Sequence, residues 1–184
     1  MADVLETERL VLRPPSPDDL PFLLAEMNTP GVMRYLGGKT FTEAEMASGL
    51  QADIYAFSRE DGWKRWTIFR RSDDVRIGRC GLFHVKSEAA PEALRGQPEI
   101  GWMLGEAHWG EGYATEAAGA VLDHAFATEP VIYSQTSDSN AASTRMMQRL
   151  GFTARPELGF DDPDYPPRDN PTTVWSLRAE EWRA

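Results

Sequence analysis

The run Glu99-Ile-Gly-Trp-Met-Leu-Gly-Glu-Ala-His-Trp-Gly-Glu-Gly-Tyr-Ala-Thr-Glu-Ala117 constrains this chain more than any other stretch. Glu99 to Leu104 has the composition of a strand, and the glycines after it force a turn. From Gly112 to about Ala127, Ala114, Ala117, Ala118, Val121, Leu122, Ala125 and Phe126 share one helical face. A strand that ends where the first amides of a helix crowd together makes an anion site, because those N–H groups have no partner inside the helix and the helix dipole favours negative charge. Gly110, Gly112 and Ala114 leave room for phosphate oxygens to approach the main chain. The stretch reads as a phosphate cradle.

The elements around it define a fold class. Arg9 to Arg13 is a first strand, ended by Pro14-Pro15. Ser16 and Pro17 open a helix with Leu20, Leu23, Leu24 and Met27 on one face and with Asp18 and Asp19 at its positive end, closed by Asn28 to Gly31. Thr42 and Glu45 form a capping-box pattern ahead of a second helix from Glu43 to Ser58. Trp63 to Arg70 and Val75 to Val85 read as a hairpin, with Gly78 and Gly81 marking a bulge or a close backbone approach. Lys86 to Pro98 is a polar loop, and Glu99 to Leu104 is the fourth strand. Val131 to Thr136 is a fifth, Asp138 to Asn140 caps a short helix that ends at Leu150 with Gly151 as its C′ residue, and Thr172 to Leu177 is the last strand after a turn-rich loop from Asp161 to Pro171. Hairpin strands first and a crossover helix later predict a mixed sheet with helices on both faces. A dinucleotide fold is excluded, since it needs βα alternation from the start and a Gly-x-Gly-x-x-Gly turn, whereas Thr115 stands where the third glycine belongs.

Charge and cysteine usage narrow the function. A chain of 184 residues is one domain, expected over 1–184. Its net charge of −10 opposes nucleic acid and anionic membrane as partners and suits cationic ones such as amines. Cys80 is alone, which excludes an internal disulfide, fits a reducing compartment, and in its apolar strand reads as a small buried residue. With no membrane-length apolar run and an acidic N-terminus, the chain reads as cytoplasmic.

The run Trp109-Gly-Glu-Gly-Tyr-Ala-Thr-Glu-Ala117 resembles the acetyl-CoA motif of the GNAT acetyltransferase superfamily. Thr7-Glu-Arg-Leu-Val-Leu-Arg13, Asn140-Ala-Ala-Ser143 and Arg149-Leu-Gly-Phe152 match in family order over nearly the whole chain, and are most similar to the RimJ/RimL-like branch, the ribosomal-protein alanine N-acetyltransferases and their relatives. The resemblance implies an α/β GNAT fold: a mixed, mostly antiparallel sheet of about seven strands, splayed at the fourth. It implies transfer of an acetyl group from acetyl-CoA to a primary amine, either a protein α-amine or a small molecule, by direct attack and without a metal. Monomer and homodimer both stay open.

The resemblance also assigns residues. Backbone amides from Trp109 through Gly110, Glu111, Gly112, Tyr113 and Ala114 to Thr115 hold the CoA pyrophosphate, and the splayed strand pairs with pantetheine. An amide near Met103 or Leu104 polarises the thioester oxygen. Glu99 resembles the acidic position that serves as a base in some relatives, directly or through water. Ser143 matches a hydroxyl position and is the candidate donor to the departing thiolate, because Met147 stands where many relatives carry a tyrosine. Asn140 contacts CoA, caps the helix, or does both. His84 either faces the acceptor site or is a structural histidine, His108 contacts phosphate or only sits in the loop, and His124 is a surface residue. Asp161, Asp162 and Asp164 are either solvated loop acids or an attraction for a cationic acceptor, and Arg145 and Arg149 either offset the unfavourable Glu111 or are solvated. A noncatalytic acyl-CoA-binding or sensing domain is the alternative, motivated by Glu111 and by the missing tyrosine.

Overall fold

In a computed structural model that describes residues 4–59 and 64–182, eight strands form one sheet. They are β1 (Leu5–Glu6), β2 (Leu10–Arg13), β3 (Arg65–Arg70), β4 (Val75–His84), β5 (Pro98–Leu104), β6 (Val131–Ser137), β7 (Thr153–Ala154) and β8 (Thr172–Arg178), in the spatial order β1-β2-β3-β4-β5-β6-β8-β7. Every neighbouring pair is antiparallel except β5–β6. That parallel pair meets at one position, Glu99 opposite Tyr133, and then diverges, which is the splay expected at the fourth predicted strand. The two strands to which the sequence reading gives no bounds are β1 and β7, each two residues long and too short to leave a periodicity.

One face of the sheet carries α4 (Tyr113–Ala125), whose Ala117, Ala118, Val121, Leu122 and Ala125 pack on Trp66, Ile68, Cys80, Leu82 and Ile100. Cys80 is fully buried there and its thiol is pushed up to about 12 by burial, so it is an inert core residue. His124 is a correction to the surface assignment: its ring meets Trp66 edge-on, with centroids 5.3 Å apart. The small helix α5 (Ala141–Arg149) contributes Met146 and Met147 to the same core.

The other face is covered in two separate places. On one side lie α3 (Glu43–Phe57) and a helical segment that the sequence suggests is continuous but which breaks into a 3₁₀ turn (Pro17–Asp19), α1 (Leu20–Phe22) and a π turn (Leu23–Met27), followed by α2 (Pro30–Met33). Pro21 lies in α1 and removes a backbone donor, and Pro30 starts a fresh helix capped by Thr29, so one regular helix cannot form. Leu23, Met27, Val32 and Leu50 form this local core. On the other side Val85, Ala90, Leu94 and Val174 form a second one, so the segment read as a polar loop, Lys86 to Pro98, is anchored by two buried apolar residues. The capping box of α3 forms as its sequence predicts, with Thr42 N–H donating to Glu45 at 2.8 Å.

Asp19 sits at the helical start as expected, its carboxylate accepting from the Ser16 amide at 3.1 Å in a capping box. It is also buried, accepting from Thr67 Oγ1 and Arg76 Nε at 2.7 Å each, and so ties the helical segment to β3 and β4. The Gly78 signal is explained twice over. The β3–β4 register shifts between Ile68 and Phe69, and a Cβ at Gly78 would overlap the Met103 carbonyl oxygen and the Leu104 side chain.

Candidate active site

The cradle follows directly from β5. Gly105 starts a 3₁₀ turn (Glu106–His108), a feature the sequence reading lacks, and Trp109 folds its indole back so that Nε1 donates to the Leu104 carbonyl at 2.8 Å. Gly110 and Gly112 adopt φ of 82° and 80°, the left-handed region where glycine is favoured. Gly112 is the N-cap of α4, and the first helical bond across the cap runs from Glu116 N–H to the Gly112 carbonyl at 3.1 Å. The amides of Tyr113, Ala114 and Thr115 therefore open the helix without intrahelical acceptors. Among the described residues nothing lies within 4 Å of where a Gly110 Cβ would stand, so the loop's outer side is open to a ligand. Glu111 is exposed.

The cradle is braced from β2. Arg9 donates from Nη1 to the Glu111 carbonyl at 3.0 Å, from Nε to Glu116 at 2.6 Å, and stacks 4.7 Å above the Tyr113 ring. Thr7 Oγ1 and the Arg9 amide both donate to the other Glu116 oxygen, at 2.5 and 2.8 Å. Burial works against the Glu116 carboxylate, yet these donors hold it below the usual carboxylate range. The Thr7 to Arg13 segment carried the resemblance without a role, and the structure supplies one: it fixes the first turn of α4.

Glu99 stands where β5 and β6 part. Its carboxylate is almost fully buried, accepts from Gln135 Nε2 at 2.8 Å, and is pushed up to about 7, chiefly by burial. It is directly opposite Phe83 and four residues before Met103, on the face that lies between the two local cores. Tyr165, from the loop of residues 161–171, is raised by burial and then by Asp162, Glu99, Asp164 and Asp169, which places its phenol among these acids.

The remaining expected residues divide. Asn140 caps α5, accepting from the Ser143 amide at 3.2 Å, and Ser143 lies half-buried in the first turn. His84 is not brought to the acceptor face, a correction to its expected substrate-binding role. It neighbours Phe83 in a strand, so alternation turns it to the opposite side from Glu99, where Glu129 is an electrostatic neighbour and burial lowers its pKa. His108 is buried with Nε2 3.8 Å from Glu26 and does not belong to the cradle. Of the three loop acids singled out, Asp161 and Asp164 are exposed and Asp162 is buried, as is the neighbouring Asp169. Asp169 accepts from Arg34 Nη1 at 2.7 Å and Ser139 Oγ at 2.9 Å, linking the 161–171 loop to the end of α2 and to the turn before α5. Sequence gave no signal for these long-range partners.

A parallel strand pair diverges beside a glycine-opened helix N-terminus, the arrangement the resemblance implied. Residues 9–153 match the family described as Acetyltransferase (GNAT) domain, and the chain belongs to that family. It is 30% identical over 152 residues to the uncharacterized N-acetyltransferase p20 of Bacillus licheniformis, covering 82% of each chain. Among solved structures it is similar to an acetyltransferase from Agrobacterium tumefaciens, with TM-score 0.76 and 29% identity over 97% of this chain and 95% of that one. The fold also matches RimL, a ribosomal L7/L12 alpha-N-protein acetyltransferase solved with coenzyme A, with TM-score 0.73, 16% identity and coverage of 96% and 98%. Among the described residues no helix is long and apolar enough to cross a membrane.

Proposed function

We propose that this GNAT N-acetyltransferase transfers the acetyl group of acetyl-CoA to a primary amine by direct attack, with Glu99 as general base. The carrying observation is the Glu99 carboxylate, buried where β5 and β6 diverge and poised at about 7. An α-ammonium near ~8 can pass a proton to such a base close to neutrality, directly or through one water. The neutral nitrogen forms the C–N bond and the C–S bond breaks, while Ser143 passes its proton to the departing thiolate and takes up the one that the nitrogen loses as the amide forms. The main-chain amide at Met103 or Leu104 polarises the carbonyl oxygen.

The open side of Gly110 and the first-turn amides of α4 fit a pyrophosphate held by residues 109–115, with Asn140 contributing from α5. Similarity of the Thr7 to Arg13, Asn140 to Ser143 and Arg149 to Phe152 runs to the RimJ/RimL-like branch supports a protein amino terminus as one acceptor to try, beside small-molecule amines. The test is thiol release from acetyl-CoA across peptides, amino acids, polyamines and aminoglycosides. Turnover with at least one amine, lost in Glu99→Gln with CoA binding intact, is the expected result. CoA binding without turnover across the panel would instead favour an acyl-CoA-sensing domain.

A further inference from the structure

The face of the sheet that carries Glu99 also carries four arginines, Arg13, Arg65, Arg76 and Arg79, and among the described residues their ion pairs use three carboxylates. Arg13 holds Asp74 at 2.6 Å, Arg76 holds Asp19 at 2.7 Å, and Arg79 holds Asp53 at 2.5 Å. Arg65 has only a share of that same Asp53, at 3.7 Å. The cluster is short of acceptors in a second respect: Arg79 is buried and its Nε has no hydrogen-bond partner. In a protein of net charge −10, this is a local excess of cation.

Its position gives the excess a use. Arg65 is more than one-third exposed, and its guanidinium lies 5.4 Å from the centroid of the Phe83 ring. Phe83 is half-buried, closes over Gly101, and pairs directly with Glu99. Across β3, β4 and β5 the surface thus runs from a cation, over an aromatic floor, to the carboxylate at the strand divergence. A molecule lying along it meets a base at one end and, at the other, a guanidinium that shares Asp53 with Arg79, about 10 Å away across two strand spacings and two residues along the sheet.

Building on the amine-acetyltransferase reading, we infer that Arg65 selects acceptors carrying a carboxylate about 10 Å from the reacting amine, with Phe83 supporting the chain between them. A planar guanidinium already stacked on a ring is suited to receive a carboxylate. A tripeptide spans this length at about 3.4 Å per residue, and its carboxylate has two sources, the chain terminus or an acidic side chain.

Trialanine, trialanine C-terminal amide and Ala-Ala-Asp C-terminal amide separate these sources. Each is assayed for thiol release and, independently, for equilibrium binding to the CoA-loaded protein by calorimetry. The expected result is about tenfold preference for a carboxylate-bearing peptide over trialanine amide, collapsing to parity in Arg65→Met and partly restored in Arg65→Lys. Preference for trialanine amide, no discrimination among the three, or discrimination retained in Arg65→Met would overturn the inference. If none of the peptides turns over, the binding ratio still decides the selectivity, while the catalytic reading is judged by the broader amine panel.

Discussion

Gln135 Nε2 donates to Glu99 at 2.8 Å across the point where β5 and β6 part, so one hydrogen bond spans the divergence and fixes the candidate base on it. Burial raises the carboxyl to about 7 despite that bond. The ionised base accumulates as pH rises through 7, so with a saturating acceptor kcat should climb over pH 6 to 8 and then level. Glu99→Gln should remove that rise and lower kcat by about 10²-fold, the ordinary scale for a general base. A pH–rate profile of both forms checks this. An unchanged profile in the variant assigns proton removal elsewhere.

The same shift predicts that the variant is more stable. A carboxyl near 4.5 in the unfolded chain and near 7 in the fold binds its proton more tightly when folded, so this group's contribution to stability falls as pH rises from 4.5 to 7 and stays low above that. At pH 8 the penalty is about 2 to 3 kcal/mol, and Glu99→Gln removes it. Thermal unfolding should show a Tm gain of roughly 5 to 10 °C at pH 8 and no gain near pH 4.5. Activity and stability then move in opposite directions, as expected of a group kept for chemistry.

Arg9 reaches both the Glu111 carbonyl and Glu116, so it couples the start of β2 to the cradle. Its ion pair is partly exposed, and loss of the side chain should cost at most about 1 kcal/mol of stability. The larger effect should fall on the loop geometry. Arg9→Ala should weaken CoA binding by about three- to tenfold, measured by calorimetry, with a smaller change in kcat at saturating acetyl-CoA.

What was legible in the sequence follows from the range of the interactions. The cradle, the capping box at Thr42 and the α4 stripe depend on residues a few positions apart, and local spacing records them. The splay came through the resemblance of the run after Glu99. The terminal position of Asp19 was legible, but its further partners, Thr67 and Arg76, are 48 and 57 residues away and left no local trace. His124 was misplaced for the same reason, since nothing near it in sequence announces Trp66. The orientation of His84 depended on strand register, which Phe83 opposite Glu99 fixes and composition does not. The function of Arg9 required knowing that β2 passes beside the start of α4.

Asp169 joins three segments whose separation in sequence hid the contact: its own loop, Arg34 after α2, and Ser139 before α5. Its side chain is inaccessible to solvent, and the Arg34 hydrogen bond foremost holds its carboxyl below the usual aspartate range although burial opposes this. For a depressed carboxyl the stabilisation is present above the ordinary aspartate range and is lost as pH falls through the lower folded value. Asp169→Asn removes the ion pair at every pH, so it should free the 161–171 loop at neutrality as acid does in the parent protein. The loop borders Glu99 through Tyr165, whereas the cradle lies on α4. The variant should therefore raise KM for the amine several-fold, leave CoA affinity within about twofold, and be cleaved faster within residues 161–171 by a nonspecific protease. Faster cleavage with unchanged KM would show that the latch serves only stability, and weakened CoA binding would show that Ser139 carries its effect to α5.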